Sequence, residues 1–204
     1  MENNEKTELQ SNPNGSIFFD NLVEACRYRG EKIVVFGGDA DFGGSQITNL
    51  GQLCLINGDV NFMGSQITDL GQLCLINGDA YFGDSKITDL GQLQSIGGYA
   101  DFGDSQITNL GQLRSIGGNA LFEGSKITDL GQLQSIGGNA YFRDSQITNL
   151  GQLQSIGGGT LFGGSKLTNL GQLRSISGNA SFRYSQITEE MLRKLETPPS
   201  NLRD

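Results

Sequence analysis

The chain has 204 residues, 36% of them hydrophobic, and a formal net charge of −8 with no histidine and no tryptophan. That acidic balance argues against direct binding of nucleic acid or an anionic membrane, since both need clustered Lys and Arg. The missing histidine excludes a Ser-His-Asp relay, and a partner with a basic or polar protein surface fits the charge best.

The head, MENNEKTELQ, is polar and acidic. It contains neither a secretory signal nor a transmembrane stretch, so the expected location is cytoplasmic, and residues 1–14 are expected to be a disordered tail. From Ser16 the pattern changes. Phe18, Phe19, Leu22, Val23 and Cys26 share one helical stripe and Gly30 is a plausible stop, which predicts an N-terminal helical cap over residues 15–36. Cys26 reads as a small buried apolar residue.

Between Gly37 and Glu196 a unit of twenty residues recurs eight times without insertion, with the consensus G-G-x-A-x-F-x-x-S-[QK]-I-T-[DN]-L-G-Q-L-x-S-I. Its positions are numbered below as columns 1 to 20, starting at Gly37. No single unit of this kind buries its own apolar face, so a fixed period predicts a stack of turns, a solenoid over residues 37–187. Columns 4 and 6, Ala40 and Phe42 in the first turn, have the spacing of a strand with alternate residues facing a core. Ile47, Leu50, Leu53 and Ile56 are spaced by three, which predicts short 3₁₀ or polyproline-like segments. The glycines of columns 2 and 15 suit corners that need positive φ or close backbone approach.

The run Asn57 to Leu70, N-G-D-V-N-F-M-G-S-Q-I-T-D-L, matches L-x-x-L-x-L-x-x-N-x-L with Val60, Phe62, Ser65 and Ile67 in its last four defined places. Together with the S-[QK]-I-T-[DN]-L segments, it makes the chain resemble bacterial leucine-rich repeats of the internalin kind. Gly, Asn or Ser stands in column 1 for the family's first leucine, and a serine ladder from Ser45 to Ser185 replaces its asparagine ladder; a serine hydroxyl can cap a backbone group there. The resemblance implies parallel strands paired into one long sheet on one face, on a gently curved rod with no helices opposite. The expected fold class is therefore a leucine-rich-repeat-like solenoid with that sheet on one face, short 3₁₀ or extended segments opposite, and helical caps at both ends.

After Ile187 the columns fail. Thr188, Glu189, Glu190, Arg193 and Lys194 have the order of an N-cap, an acidic first turn and a basic last turn, which predicts a C-terminal helical cap over 188–197. Residues 198–204 are expected to be a second disordered tail.

Several motifs resemble known chemistry and are better read as repeat columns. Gly83-Asp84-Ser85 and Gly103-Asp104-Ser105 resemble the G-D-S of some esterases, but their serines belong to the ladder. The G-G-D-A-D-F start resembles calcium-binding repeats, whose period is nine rather than twenty. Threonine fills column 12 from Thr48 to Thr188, as in some ice-binding solenoids, yet a neighbouring Asp or Asn would hydrate any flat apolar array, so the hydroxyls are assigned to corner backbone groups. No catalytic residue, metal or cofactor is expected. Cys54 and Cys74 share a column in adjacent turns, about 5 Å apart between Cα atoms and within disulfide range; in a reducing compartment they read as two free thiols.

Comparison among the eight turns leaves columns 3, 5, 7 and 8 free to vary, on and beside the outward face of the strand. The first four turns place there Asp39, Asp41, Asp59, Asn61, Asp79, Tyr81, Asp84, Tyr99, Asp101 and Asp104, with no Lys or Arg. The last four place Leu121, Glu123, Tyr141, Arg143, Asp144, Leu161, Arg183 and Tyr184. Aromatic residues beside charge are typical interface anchors. The expected function is a non-catalytic protein-binding module that uses this face, with Asp39 to Asp104, Leu121, Tyr141, Arg143 and Tyr184 as contacts. One alternative is an acidic inhibitor that blocks a basic, nucleic-acid-binding surface of an enzyme, and another is a self-associating scaffold.

Overall fold

One phenylalanine per turn sets the rise of the rod. In the computed structural model, which describes residues 10–11, 17–19, 22–27 and 34–203, the rings of Phe42, Phe62, Phe82, Phe102, Phe122, Phe142 and Phe162 stack with centroids 5.2–5.5 Å apart and planes within 17°. That step is close to the spacing of paired strands, so every turn repeats the same backbone path above the last. Ile, Leu, Leu and Ile of columns 11, 14, 17 and 20 complete the interior and are almost wholly buried from Ile67 to Ile156.

Two parallel sheets run the length of the rod. One is built from two-residue strands in columns 4 and 5, such as Ala80–Tyr81 paired with Ala100–Asp101. The other lies in columns 19 and 20, where Ser95–Ile96 pairs with Ser115–Ile116. The first is the expected sheet; the second replaces the 3₁₀ or polyproline-like path expected around Ile56 and its equivalents. Spacing by three placed the apolar residues correctly inside but did not reveal that the column-19 and column-20 backbone is extended and laterally paired. A third line of contact, isolated parallel bridges such as Asn49 to Asp69, joins column 13 in neighbouring turns.

Two tight corners link these lines. Ser65 N–H donates to Phe62 O at 3.0 Å, and the column-8 residue in that turn is left-handed in every repeat, with φ from 51° to 67°, as a type II turn requires of its third residue. Leu73 N–H donates to Leu70 O at 3.1 Å around Gly71, whose φ is +59°. Column 15 is thus glycine for its dihedral, and at Gly71 also for space, since a Cβ there would lie 2.3 Å from the carbonyl oxygen of Gly51. Column 2 is glycine for lack of space: a Cβ on Gly118 would lie 2.7 Å from the carbonyl carbon of Gly98.

The expected serine ladder holds only at the ends. Ser45 Oγ accepts from Ile47 N–H at 3.0 Å and Ser185 Oγ donates to Phe182 O at 2.7 Å, whereas the hydroxyls of Ser65, Ser85, Ser105, Ser125, Ser145 and Ser165 are buried without a hydrogen-bond partner. Thr68, Thr108, Thr148 and Thr168 donate side-chain hydrogen bonds to the threonine carbonyl one turn back, at 3.3–3.5 Å.

Short strands as well as helix take part at both ends. The expected tail over 1–14 lies outside the described residues except Gln10–Ser11, which pairs antiparallel with Ile17–Phe18. Within the span expected as a helical cap, Ile17–Phe19 and Val34–Phe36 pair in parallel and continue the column-20 sheet, and among the described residues the helix is Leu22–Arg27; Gly30 lies outside the described residues. At the other end Thr188 caps the five-residue helix Glu189–Arg193, accepting from Met191 N–H, and Leu192 is buried. Residues 198–204, expected as a tail, instead include the strand Leu202–Arg203, which pairs with Ala180–Ser181. Leu202 packs against the core, covering the last turn as a solenoid end requires.

Candidate functional site

The outward side of the column-4 and column-5 sheet carries the predicted site, and its residues divide by what holds them. In column 3, Asp39 Oδ1 accepts from Asp59 N–H at 2.9 Å, Asp59 Oδ1 from Asp79 N–H at 2.7 Å, and Asp79 Oδ1 from Tyr99 N–H at 2.7 Å. Asn119 and Asn139 serve the amides of Asn139 and Gly159 in the same way, both at 2.7 Å. These side chains form a ladder that ties each turn to the next.

In column 5, Asp41 and Asp101 accept the amide two residues on, from Gly43 and Gly103 at 2.8 Å, and Asn61 accepts from Met63 at 3.0 Å. Asp84, Asp104 and Asp144 occupy the left-handed column-8 position, which Asp tolerates better than most residues and which glycine fills in four other turns. The acids of the face therefore have local backbone tasks as well as charge. Column 13 follows the same logic outside the predicted site: from Asn49 to Asn169, Oδ1 accepts the amide of each column-15 glycine.

What remains without such a backbone task is mainly aromatic and aliphatic. Tyr81, Leu121, Tyr141 and Leu161 stand in column 5, half-buried and outward. Tyr99 meets Tyr81 edge to face, with centroids 5.8 Å apart. Tyr81 donates to Asp79 Oδ2 at 3.3 Å and Tyr141 accepts from Asn139 Nδ2 at 3.2 Å. Burial, then the negative charge and hydrogen bond of Asp101, push the Tyr99 phenol up to about 12; burial and then Asp79 raise Tyr81. Both phenols are uncharged donors at neutral pH.

The two ends of the face differ. Asp39, Asp41, Asp59 and Asp79 lie at the N-terminal end, while Arg143, Arg183 and Arg203 rim a shallow groove near the other. A second groove beside it, lined by Tyr141, Leu161 and Arg203, also holds Gly159, which stands where neighbouring turns have Asn139 and Asn179. Tyr184 is left-handed at φ 59° and 83% exposed, with the Arg183 guanidinium 5.0 Å from its ring centroid.

Column 8 was readable as a backbone constraint, since seven of its eight residues are Gly or Asp. Column 3 carried a similar signal, since six of its eight residues are Asp or Asn and both side chains offer Oδ1. Among the described residues no group of three or more His, Cys, Asp or Glu is placed to hold a metal ion, and no helix is long and apolar enough to cross a membrane. The chain is a regular repeat solenoid with turns of twenty residues. No family model matches it, and no curated protein or solved structure does.

Proposed function

We propose that the chain is a non-catalytic binding module, related to the leucine-rich repeats, that holds another protein on its column-3 and column-5 face in the cytoplasm. The observation that carries this reading is the row Tyr81, Tyr99, Leu121, Tyr141 and Leu161: outward apolar and aromatic side chains on a sheet whose backbone does not require them. A strand surface with no partner is served equally well by Ser or Thr, whereas Tyr adds contact area with a polar tip at low entropic cost. Tyr184 adds to the argument, because a left-handed Tyr strains the backbone where glycine would not, and such outliers concentrate at functional sites.

Acids around the N-terminal half favour a partner with basic groups opposite Asp39, Asp59 and Asp79. Replacing these three by Asn keeps each Oδ1 acceptor and removes the charge. Retained melting temperature with weakened, salt-sensitive capture of cytosolic partners supports the reading; undiminished capture removes charge from it.

A second reading has its own observation. Asp39, Asp59 and Asp79 stand in register on consecutive turns, one negative charge per strand step, an array that an inhibitor of a nucleic-acid-binding enzyme could present to a basic groove. Competition by DNA or RNA for the captured partner distinguishes it from the first.

A further inference from the structure

Column 18 holds Gln or Arg from turn three to turn seven, and column 19 holds Ser. Before the C-terminal cap only the first two turns depart from this, with Cys54-Leu55 and Cys74-Leu75. The departure puts two thiols face to face. Leu55 pairs with Leu75 and Ile56 with Ile76, Cys74 N–H donates to Cys54 O at 2.8 Å, and the two Sγ atoms lie 2.7 Å apart. Both cysteines are reduced and only half-buried, so a small oxidant reaches them, while Cys26 is buried against the core.

We infer that Cys54 and Cys74 form a reversible oxidation site whose disulfide staples the first two turns of the solenoid. In-register neighbours on parallel strands have Cα atoms within the span a disulfide accepts. Moving the sulfurs from 2.7 Å to bonding distance takes well under 1 Å, and the backbone ladder holds both chains in place while it happens.

The reaction balances with a small-molecule disulfide as oxidant. The Cys74 thiolate attacks one sulfur of the oxidant, breaking its S–S bond and releasing one small thiol, which takes up a proton. Cys54 then loses its proton and attacks Cys74 Sγ of the mixed disulfide, forming the intramolecular bond and expelling the second small thiol. Two protein thiols are oxidised and one small disulfide is reduced to two thiols. Burial, the first of the causes that raise the Cys54 thiol, persists in the mixed disulfide, so closure by Cys54 quickens as pH rises, because the thiolate is the attacking species.

The staple acts where the rod is most easily opened. A solenoid frays from its ends, each turn being held only by its neighbours, and the bond would join the turn beneath the N-terminal head to the next. A crosslink closing a loop of this size gives, on the chain-entropy estimate, a rise in melting temperature of about 5 °C or more.

The test uses the full chain incubated with oxidised or reduced glutathione, then unfolded in denaturant, alkylated and mapped by mass spectrometry, with melting of the folded samples followed in parallel. The expected result is a Cys54–Cys74 crosslinked peptide, Cys26 still alkylated, a melting temperature raised by that amount, and reversal by dithiothreitol. Cys54→Ser and Cys74→Ser should both lose the shift, and Cys26→Ser should keep it. A stable glutathione adduct with no crosslink, or a crosslink that leaves melting unchanged, would overturn the proposal.

Discussion

The amide of Asp79 donates to Oδ1 of Asp59 at 2.7 Å, one turn back along the rod. The acid faces solvent and could be taken for a pure binding residue, yet it closes a backbone bond in a ladder. Asp59→Ala should therefore lower stability by about 1 kcal/mol, a drop of a few degrees in melting temperature, while Asp59→Asn stays within a few tenths of a kcal/mol because it keeps the acceptor. Equal melting of the Ala and Asn variants would show that the ladder bond contributes nothing.

Tyr184 makes the opposite case. At φ 59° it occupies a region where a non-glycine residue costs about 1–2 kcal/mol, while glycine costs the unfolded chain's entropy of about 0.5–1 kcal/mol. The strain relieved exceeds that entropy, so Tyr184→Gly should raise the melting temperature slightly or leave it unchanged. A clear loss of stability would mean that the Arg183–Tyr184 stack holds the last turn together.

Gly118 and Gly131, one from each glycine column, should fail differently on substitution. Gly118 has an ordinary φ but no room, a Cβ meeting the backbone of Gly98 and Tyr99 at 2.7–2.8 Å, whereas Gly131 at φ +58° has nothing within 4 Å. Gly118→Ala must push neighbouring turns away from each other and should cost about 3 kcal/mol, near the upper end for an overpacked site. Gly131→Ala should cost about 1 kcal/mol, with Gly131→Asn recovering some of it. Thermal melting of the three variants ranks them, and equal losses for the two alanines would contradict the distinction.

The fold's interior was legible in the sequence because buried columns tolerate few residues: Phe in column 6 and Leu in columns 14 and 17 name themselves. The second sheet was not, since its strands are two residues long and their apolar spacing of three is shared by non-strand conformations. The strand Leu202–Arg203 escaped for another reason. It pairs with Ala180–Ser181 at an offset of 22, out of step with the period of twenty, and Pro198-Pro199 just before it reads as a break. The alternation placed columns 3 and 5 on the strand's outward side, where they lie, but the Asp59–Asp79 bond joins residues that touch only once the turns are stacked. Column 3 therefore looked free when its Asp and Asn were interchangeable acceptors.

Alkaline pH should loosen the face. The Tyr99 phenol titrates in the fold at about 12, above the value near 10 of an unfolded chain, so its protonated form stabilises the fold. That contribution is complete below pH 10 and is lost as pH climbs toward 12. Tyr99→Phe should make melting less sensitive to pH across that window and remove the highest-pH component of tyrosinate absorbance. An unchanged absorbance titration would contradict the burial assigned to Tyr99.

The binding face is tested most directly by comparing what two triple variants capture from native cytosol. Tyr81→Ala, Leu121→Ala and Tyr141→Ala together strip the outward row, and Lys86→Ala, Thr108→Ala and Lys126→Ala strip the face on the other side of the Phe–Ser corner. With melting temperatures near that of the unaltered chain, the first set should lose the captured protein by tenfold or more and the second should retain it. Capture that survives the first set, or disappears with the second, would contradict the placement of the binding surface on the tyrosine row.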